Sequence, residues 1–296
     1  MTNTSAKIIF FGTEEFSLTA LTALIDAGHD VVAVVTKPDS RRGRGRVMSA
    51  PSVKLLAEKH GIPVWQPERL ADIADAVRTL QPVTGVLVSY GKILPQSLID
   101  LFIPGIINVH PSLLPKYRGP TPIESAILNG DAATGVSLMQ LAARMDAGPV
   151  YIAREYPLNG HETQLELAHT LAVIGSDLLL EHLSEIIAGD LSPTPQDDSQ
   201  ASYCALLQKS DALLDPTQLT AAEAERRVRA YFAYPKARIH YNGGQLIITA
   251  AHISPTKNTP LDLECRDGAF LVIDELISPS GKRMSADAYL RGHLAK

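Results

Sequence analysis

Lys7-Ile8-Ile9-Phe10-Phe11-Gly12-Thr13-Glu14-Glu15-Phe16, continued through Gly28 to Val31-Val32-Ala33-Val34-Val35-Thr36, is the stretch whose reading decides the fold. Ile8 to Phe11 is an unbroken apolar run, the pattern of a strand covered on both faces. Gly12-Thr13 is a turn, Thr13 is placed to cap a helix, and Glu14 and Glu15 suit the positive end of that helix. Gly28 closes the helix and Val31 to Val35 is the next strand. Strand, helix and strand in this order make a right-handed crossover unit, so the expected fold is a Rossmann-like parallel sheet. A dinucleotide fingerprint needs three glycines in the first turn and an acid closing the second strand. Here one glycine is present and the acid is missing, which argues against a dehydrogenase.

Working outward, Pro51-Ser52-Val53-Lys54 opens a helix to about His60, Ile62 to Trp65 is a short strand, Glu68 to Thr79 is an amphipathic helix, and Val83 to Ser89 is a strand that runs into Tyr90-Gly91. Thr121-Pro122-Ile123-Glu124 combines a capping threonine, a proline at the first helical position and a capping-box glutamate. Gly135 to Leu141 and Val150 to Tyr156 read as a hairpin pair, and Glu162 to Ile187 as a long helix. Gly189 to Ser199 is polar and proline-bearing, the composition of a linker. Beyond it come a second capping box, Thr220 to Glu223, a hairpin around Asn242-Gly243-Gly244, and a strand from Ala269 to Ile277. The expected architecture is therefore α/β: a Rossmann-like catalytic domain over residues 1–188, a linker over 189–203, and a small OB-like β-barrel domain over 204–296.

A chain of 296 residues with 45% hydrophobic and 20% charged residues can build two cores. Its apolar runs are far shorter than the roughly 18 residues of a membrane span, and MTNTSAK at the start has no signal-peptide character, so a cytoplasmic location is expected. Cys204 and Cys265 are too few for a disulfide framework or a thiolate metal cluster, and both are expected to be reduced. Charge is unevenly spread: residues 1–203 carry 15 basic and 22 acidic residues, residues 204–296 carry 12 and 10. Within the acidic part, Lys37, Arg41, Arg42, Arg44 and Arg46 face only one acid, Asp39. Arginine forks on a glycine-rich loop match phosphate oxygens, while a solvated polar loop is the plainer alternative.

The chemistry is concentrated in Ile106-Ile107-Asn108-Val109-His110-Pro111-Ser112-Leu113-Leu114-Pro115-Lys116-Tyr117-Arg118-Gly119, completed by Met145-Asp146-Ala147-Gly148. On a strand, Asn108 and His110 share one side, and strand carboxyl ends line the ligand crevice of an open sheet. An amide donor beside an imidazole suits an oxyanion developing on a carbonyl, and Asp146 could hold the ring in one orientation. The sequence lacks HExxH, CxxC, a nucleophile elbow and a P-loop, which leaves direct attack of a substrate amine on a bound acyl donor.

These residues resemble the signature of the folate-dependent formyltransferases, in the branch that acts on initiator methionyl-tRNA. The likeness runs from Ile8-Ile9-Phe10-Phe11-Gly12-Thr13 through Pro38-Asp39, Gly43-Arg44-Gly45 and Gly135-Val136-Ser137-Leu138-Met139-Gln140 to Gly281-Lys282-Arg283-Met284-Ser285-Ala286. It implies 10-formyltetrahydrofolate as donor, the amine of charged initiator tRNA as acceptor, and no metal. By the same resemblance Asn108, His110 and Asp146 are the catalytic set. Ser112, Leu113, Leu114 and Pro115, with Tyr90 and Gly91, are the folate-binding residues, and Lys37, Arg41, Arg42, Arg44 and Arg46 the tRNA-binding ones. A monomer is expected. The alternatives are a formyltransferase for a small amine, such as an amino-sugar nucleotide or glycinamide ribonucleotide, and a nonenzymatic RNA-binding protein.

Overall fold

The computed structural model describes residues 6–42 and 47–293. Strand β1 (Lys7–Gly12), helix α1 (Phe16–Asp26) and strand β2 (Val31–Val35) form the crossover unit read from the sequence. The chain continues through β3 (Ser40–Arg42), β4 (Val47–Ser49), α2 (Ser52–Lys59), β5 (Val64–Trp65), α3 (Ala74–Leu80), β6 (Val83–Val88), α4 (Gln96–Ile99) and β7 (Ile106–His110). Then follow α5 (Pro122–Asn129), β8 (Ala133–Gln140), β9 (Val150–Pro157) and α6 (Gln164–Ala188). One seven-stranded sheet has the order β5-β2-β1-β6-β7-β8-β9. Its first five strands are parallel, whereas β8 runs antiparallel to β7. The parallel part is covered on both faces, so Ile8, Ile9, Phe10 and Phe11 are all fully buried.

Two sequence expectations about caps are corrected. Thr13 does not cap α1: the helix starts after Glu15, whose own side chain makes no cap bond. Instead the Thr13 hydroxyl, 2% exposed, lies 3.2 Å from the Tyr90 carbonyl and 3.3 Å from the Thr36 hydroxyl. It thus ties together the ends of β1, β2 and β6. Thr121 stands at the capping position of α5 with Pro122 behind it, yet its hydroxyl donates to the Ala205 carbonyl at 2.8 Å and makes no cap bond. Glu124 consequently closes no capping box, and burial pushes its carboxyl above the usual range. In both cases a tertiary carbonyl outcompetes the local amide.

The chain folds into two compact units that do not follow its order. The first comprises residues to Pro120, Thr134–Tyr156 and Ala168–Tyr203; the second comprises Thr121–Ala133, Pro157–Leu167 and the chain from Cys204 onward. Residues 189–203, linker-like in composition, are fastened to the first unit. Val150 and Thr194 exchange two backbone bonds of 2.8 Å, and Arg118 N–H donates to the Ser202 carbonyl at 2.9 Å.

The second unit contains α7 (Ala221–Ala230) and strands β10 (Arg238–Tyr241), β11 (Gly244–Ser254), β12 (Leu263–Glu264), β13 (Phe270–Ile277) and β14 (Arg283–Ser285), followed by α8 (Ala286–His293). The five strands form one antiparallel sheet, a half-barrel, with β14 paired to β13. Thr220 and Glu223 make the expected reciprocal capping box on α7. Between β10 and β11, Asn242 (φ 48°) and Gly243 (φ 76°) make a two-residue turn of the left-handed kind that suits strand twist. The core joins Ala224 and Val228 of α7 to Ile239, Leu246, Ile248, Leu271, Ile273 and Leu276.

Candidate active site

Asn108 and His110 lie on β7, each 5% exposed, where parallel pairing with β6 gives way to antiparallel pairing with β8. The pleat sends both to one side of the sheet, as read from the sequence. Asp146 lies in the connection from β8 to β9, in a left-handed conformation (φ 46°) that is uncommon for a residue with a side chain. The structure brings His110 and Asp146 together: Nδ1 of His110 is 3.8 Å from Oδ2 of Asp146. That separation is an ionic approach and too long for a hydrogen bond.

The segment that follows β7 holds the ring and the acid. His110 Nε2 lies 3.0 Å from the Tyr117 carbonyl oxygen, which can only accept, so Nε2 carries a proton. Asp146 Oδ2 accepts from the Gly119 N–H at 2.8 Å. Tyr117 N–H donates to the Ser202 hydroxyl at 2.9 Å, which fixes the backbone between the two contacts. Nε2 is thus engaged by the Tyr117 carbonyl, and Nδ1 faces the Asp146 carboxylate at longer range. No hydrogen bond to a described residue engages the Asn108 carboxamide, whose donors remain available in a buried position.

The loop expected to bind folate is held from beneath. Ser137 of β8, fully buried, donates to the Ser112 carbonyl at 2.7 Å and accepts from Leu114 N–H at 3.1 Å. Ser112 in turn donates to the Lys116 carbonyl. Leu113, Leu114 and Pro115 are half-buried above this anchor. A methyl group at Gly135 would fall 2.6 Å from Leu113 and 2.2 Å from the Arg154 carbonyl, so the loop approaches β8 as closely as glycine permits. Gly91 has φ 70°, whereas Tyr90 turns its ring into the core, edge-on to Phe11 with centroids 5.7 Å apart. Burial pushes the Tyr90 hydroxyl up to about 12, and this oxygen has no hydrogen-bond partner among the described residues.

The basic loop springs from a hairpin, β3 paired with β4, on which Arg41 is exposed. Arg44, Arg46 and the side chain of Arg42 lie outside the described residues. Asp39 at the hairpin's base accepts from Gln66 at 2.8 Å and pairs with Lys54 at 2.9 Å, contacts that hold its carboxyl below the usual range. Lys37 approaches Glu14 at 3.9 Å.

Sequence reasoning missed the residues behind the site. The Arg118 side chain is wholly buried; its guanidinium bonds Gln196, the Tyr203 hydroxyl and Asp198. Gln196 also reaches the Asp146 turn, with its amide N–H groups 2.8 Å from the Asp146 carbonyl and 2.6 Å from the Gly148 carbonyl. A buried arginine demands acceptors, but the burial of Arg118 is not visible in the sequence, so nothing there signalled these distant partners. Among the described residues no group of His, Cys, Asp and Glu could hold a metal ion, and no helix is long and apolar enough to cross a membrane.

A sheet whose strand ends present an unengaged amide, an imidazole and a carboxylate fits the class of formyl transferases, and comparison with known proteins bears this out. The formyl transferase family model matches residues 6–183, and the formyl transferase C-terminal domain model matches residues 206–294. The methionyl-tRNA formyltransferase of Halorhodospira halophila is 40% identical over 97% of this chain and 96% of that protein. That of Magnetococcus marinus is 39% identical over 99% and 97%. Among solved structures, the N-formyltransferase of Helicobacter canadensis with folinic acid and dTDP-3-aminofucose superposes with a TM-score of 0.71 over 90% of this chain and 98% of that one, at 18% identity. HypX of Aquifex aeolicus with tetrahydrofolic acid gives 0.68 at 18% identity over 97% of this chain, which spans about half (47%) of HypX. At such identity the two structures share the fold. The chain belongs to the methionyl-tRNA formyltransferase family, and it is a one-carbon transferase.

Proposed function

We propose that Asn108, His110 and Asp146 carry the transfer of a formyl group from 10-formyltetrahydrofolate to the amine of initiator methionyl-tRNA. The neutral amine attacks the formyl carbon, a C–N bond to the acceptor forms, the bond to the folate nitrogen breaks, and the proton lost by the amine is made good on the folate nitrogen, which leaves as a neutral secondary amine. Negative charge gathers on the formyl oxygen during attack. A buried donor aimed at that charge works in a poorly screening medium, where it is most effective. The unengaged Asn108 carboxamide is the observation that carries this reading. His110 adds a second positive group, and Asp146, 3.8 Å away, balances its charge and stands ready to take the amine proton. The folate would rest on Ser112, Leu113, Leu114 and Pro115, beside Gly91 and the Tyr90 backbone.

The basic run of Lys37, Arg41, Arg42, Arg44 and Arg46 supports a polynucleotide acceptor over a small amine, because a small acceptor has no use for so many arginines. The second unit adds a depression of about 220 Å³ lined by Lys209, Tyr234, Lys236 and Arg238. Two cations, a guanidinium and an exposed aromatic face suit a phosphate backbone. The protein would act as a cytoplasmic monomer, where charged tRNA is found. The test supplies labelled formyl-folate with charged initiator tRNA, free methionine or an amino sugar nucleotide in turn. Label on the tRNA alone is expected, and label on either small amine instead would overturn the acceptor assignment.

A further inference from the structure

We infer that Gln196 is a positioning residue for the transfer, because its side chain sets where the Asp146 turn sits. The inference rests on the assignment of Asp146 proposed above. Gln196 lies in residues 189–203, between the two family matches that end at 183 and begin at 206. Its carboxamide is fully engaged. Oε1 accepts from Arg118 Nε at 3.0 Å and Nη2 at 2.7 Å, while Nε2 donates to the carbonyls of Asp146 and Gly148 at 2.8 and 2.6 Å. Only one orientation of the amide works. Rotating it by half a turn would set an oxygen against two carbonyl oxygens and an NH2 against a guanidinium.

The Asp146 turn needs such support. Its left-handed backbone is unfavourable for a residue with a side chain and persists only where the surroundings over-determine it. The Asp146 carboxylate is held at one end by Gly119 N–H, which fixes the side chain. The backbone carbonyls on either side of Ala147 are held at the other end by Gln196, alone among the side chains of the described residues in hydrogen-bonding them. Arg118 and Gly119 are consecutive, so a single rigid corner of the chain governs the acid twice: directly through the Gly119 amide, and through the Arg118 guanidinium by way of Gln196. Among the described residues Gln196 makes no hydrogen bond to His110 or Asn108; its direct bonds to the Asp146 turn are the short route to the site, and its bond to Arg118, next to the Tyr117 carbonyl that holds His110, is the longer one.

The experiment compares Gln196→Met, which keeps the volume, Gln196→Glu, which turns the donor end into an acceptor, and Asp146→Asn, alone and combined with Gln196→Met. Turnover, the KM of each substrate and the melting temperature are measured on the full chain. Gln196→Met is expected to lower kcat about ten- to a hundredfold through misplacement of the acid, with both KM values within about twofold of wild type. Gln196→Glu is expected to be slower still. In the Asp146→Asn background, adding Gln196→Met is expected to change kcat by less than about twofold, because the group it positions is already gone. A merely structural glutamine would lower the melting temperature and leave kcat intact below it, and that result overturns the inference. A further tenfold loss in the double variant overturns it too. If Asp146→Asn itself turns over at the wild-type rate, the assignment of Asp146 falls and the inference with it, an outcome distinct from failure of Gln196 alone.

Discussion

His110 and Asp146 face each other at 3.8 Å, and neither is oriented by the other: the ring is held by the Tyr117 carbonyl and the carboxylate by the Gly119 amide. The imidazole and the carboxylate are thus set side by side by one short run of backbone. The usual picture of an acid that orients its histidine by a hydrogen bond does not describe this arrangement.

Replacing Asn108 with alanine removes a donor without disturbing any partner among the described residues. Turnover is expected to fall by roughly a hundred- to a thousandfold, the usual cost of an oxyanion donor, while the melting temperature stays close to wild type. Single-turnover kinetics with saturating folate and tRNA check this. Near-normal turnover would remove Asn108 from the site.

Gly148 admits no side chain, because a Cβ there would lie 1.8 Å from the Gln140 carbonyl. Gly148→Ala is expected to push the Asp146 connection off the end of β8. A destabilisation of about 1–3 kcal/mol, typical of forced overpacking, should appear in urea unfolding. A fall in kcat should accompany it, measured well below the melting point.

Asp198 is held below the usual carboxylate range first by a hydrogen bond from Arg144 and then by one from Arg118. A carboxyl depressed in the folded state stabilises the fold in full above its unfolded value, near 3.8, and loses that effect as pH falls through the lower folded value. The melting temperature of wild type should therefore exceed that of Asp198→Asn at neutral pH. The difference should stay constant down to about pH 5 and shrink toward zero in stronger acid. Thermal scans of both proteins across this window provide the measurement.

Arg41→Ala, and Arg42→Ala combined with Arg44→Ala, are expected to raise the KM for charged tRNA and to flatten its dependence on salt. Each lost phosphate contact removes roughly one unit of slope on a double-logarithmic plot. Folate binding, measured by fluorescence quenching, should be unchanged. Identical kinetics at several ionic strengths would return the loop to an ordinary solvated surface.

What could be read from the sequence was set by local periodicity. Ile8 to Phe11, Gly28 and Val31 to Val35 specify a buried strand, a helix stop and a second strand within one short window, and Asn108 and His110 share a face because the strand repeat is two. The hydroxyls of Thr13 and Thr121 escaped that reading. A threonine at a helix start bonds whichever acceptor is best placed, and here those acceptors, the Tyr90 and Ala205 carbonyls, lie 77 and 84 positions away. Gln196 was hidden for the same reason, since its partners stand 50 and 78 positions off while its neighbours are the prolines and aspartates of a linker. Composition reports how a segment treats water, and carries nothing about which distant side chain will seek it out.

The seating of residues 189–203 has a practical corollary for anyone trimming this protein. A fragment ended at Ala188 would keep Asn108, His110 and Asp146, and would bare the Arg118 guanidinium and the Tyr117 amide to solvent where Gln196, Asp198 and Ser202 had met them. The shortest piece that keeps all of these contacts has to run on to Tyr203, past residue 183 where the formyl transferase match ends.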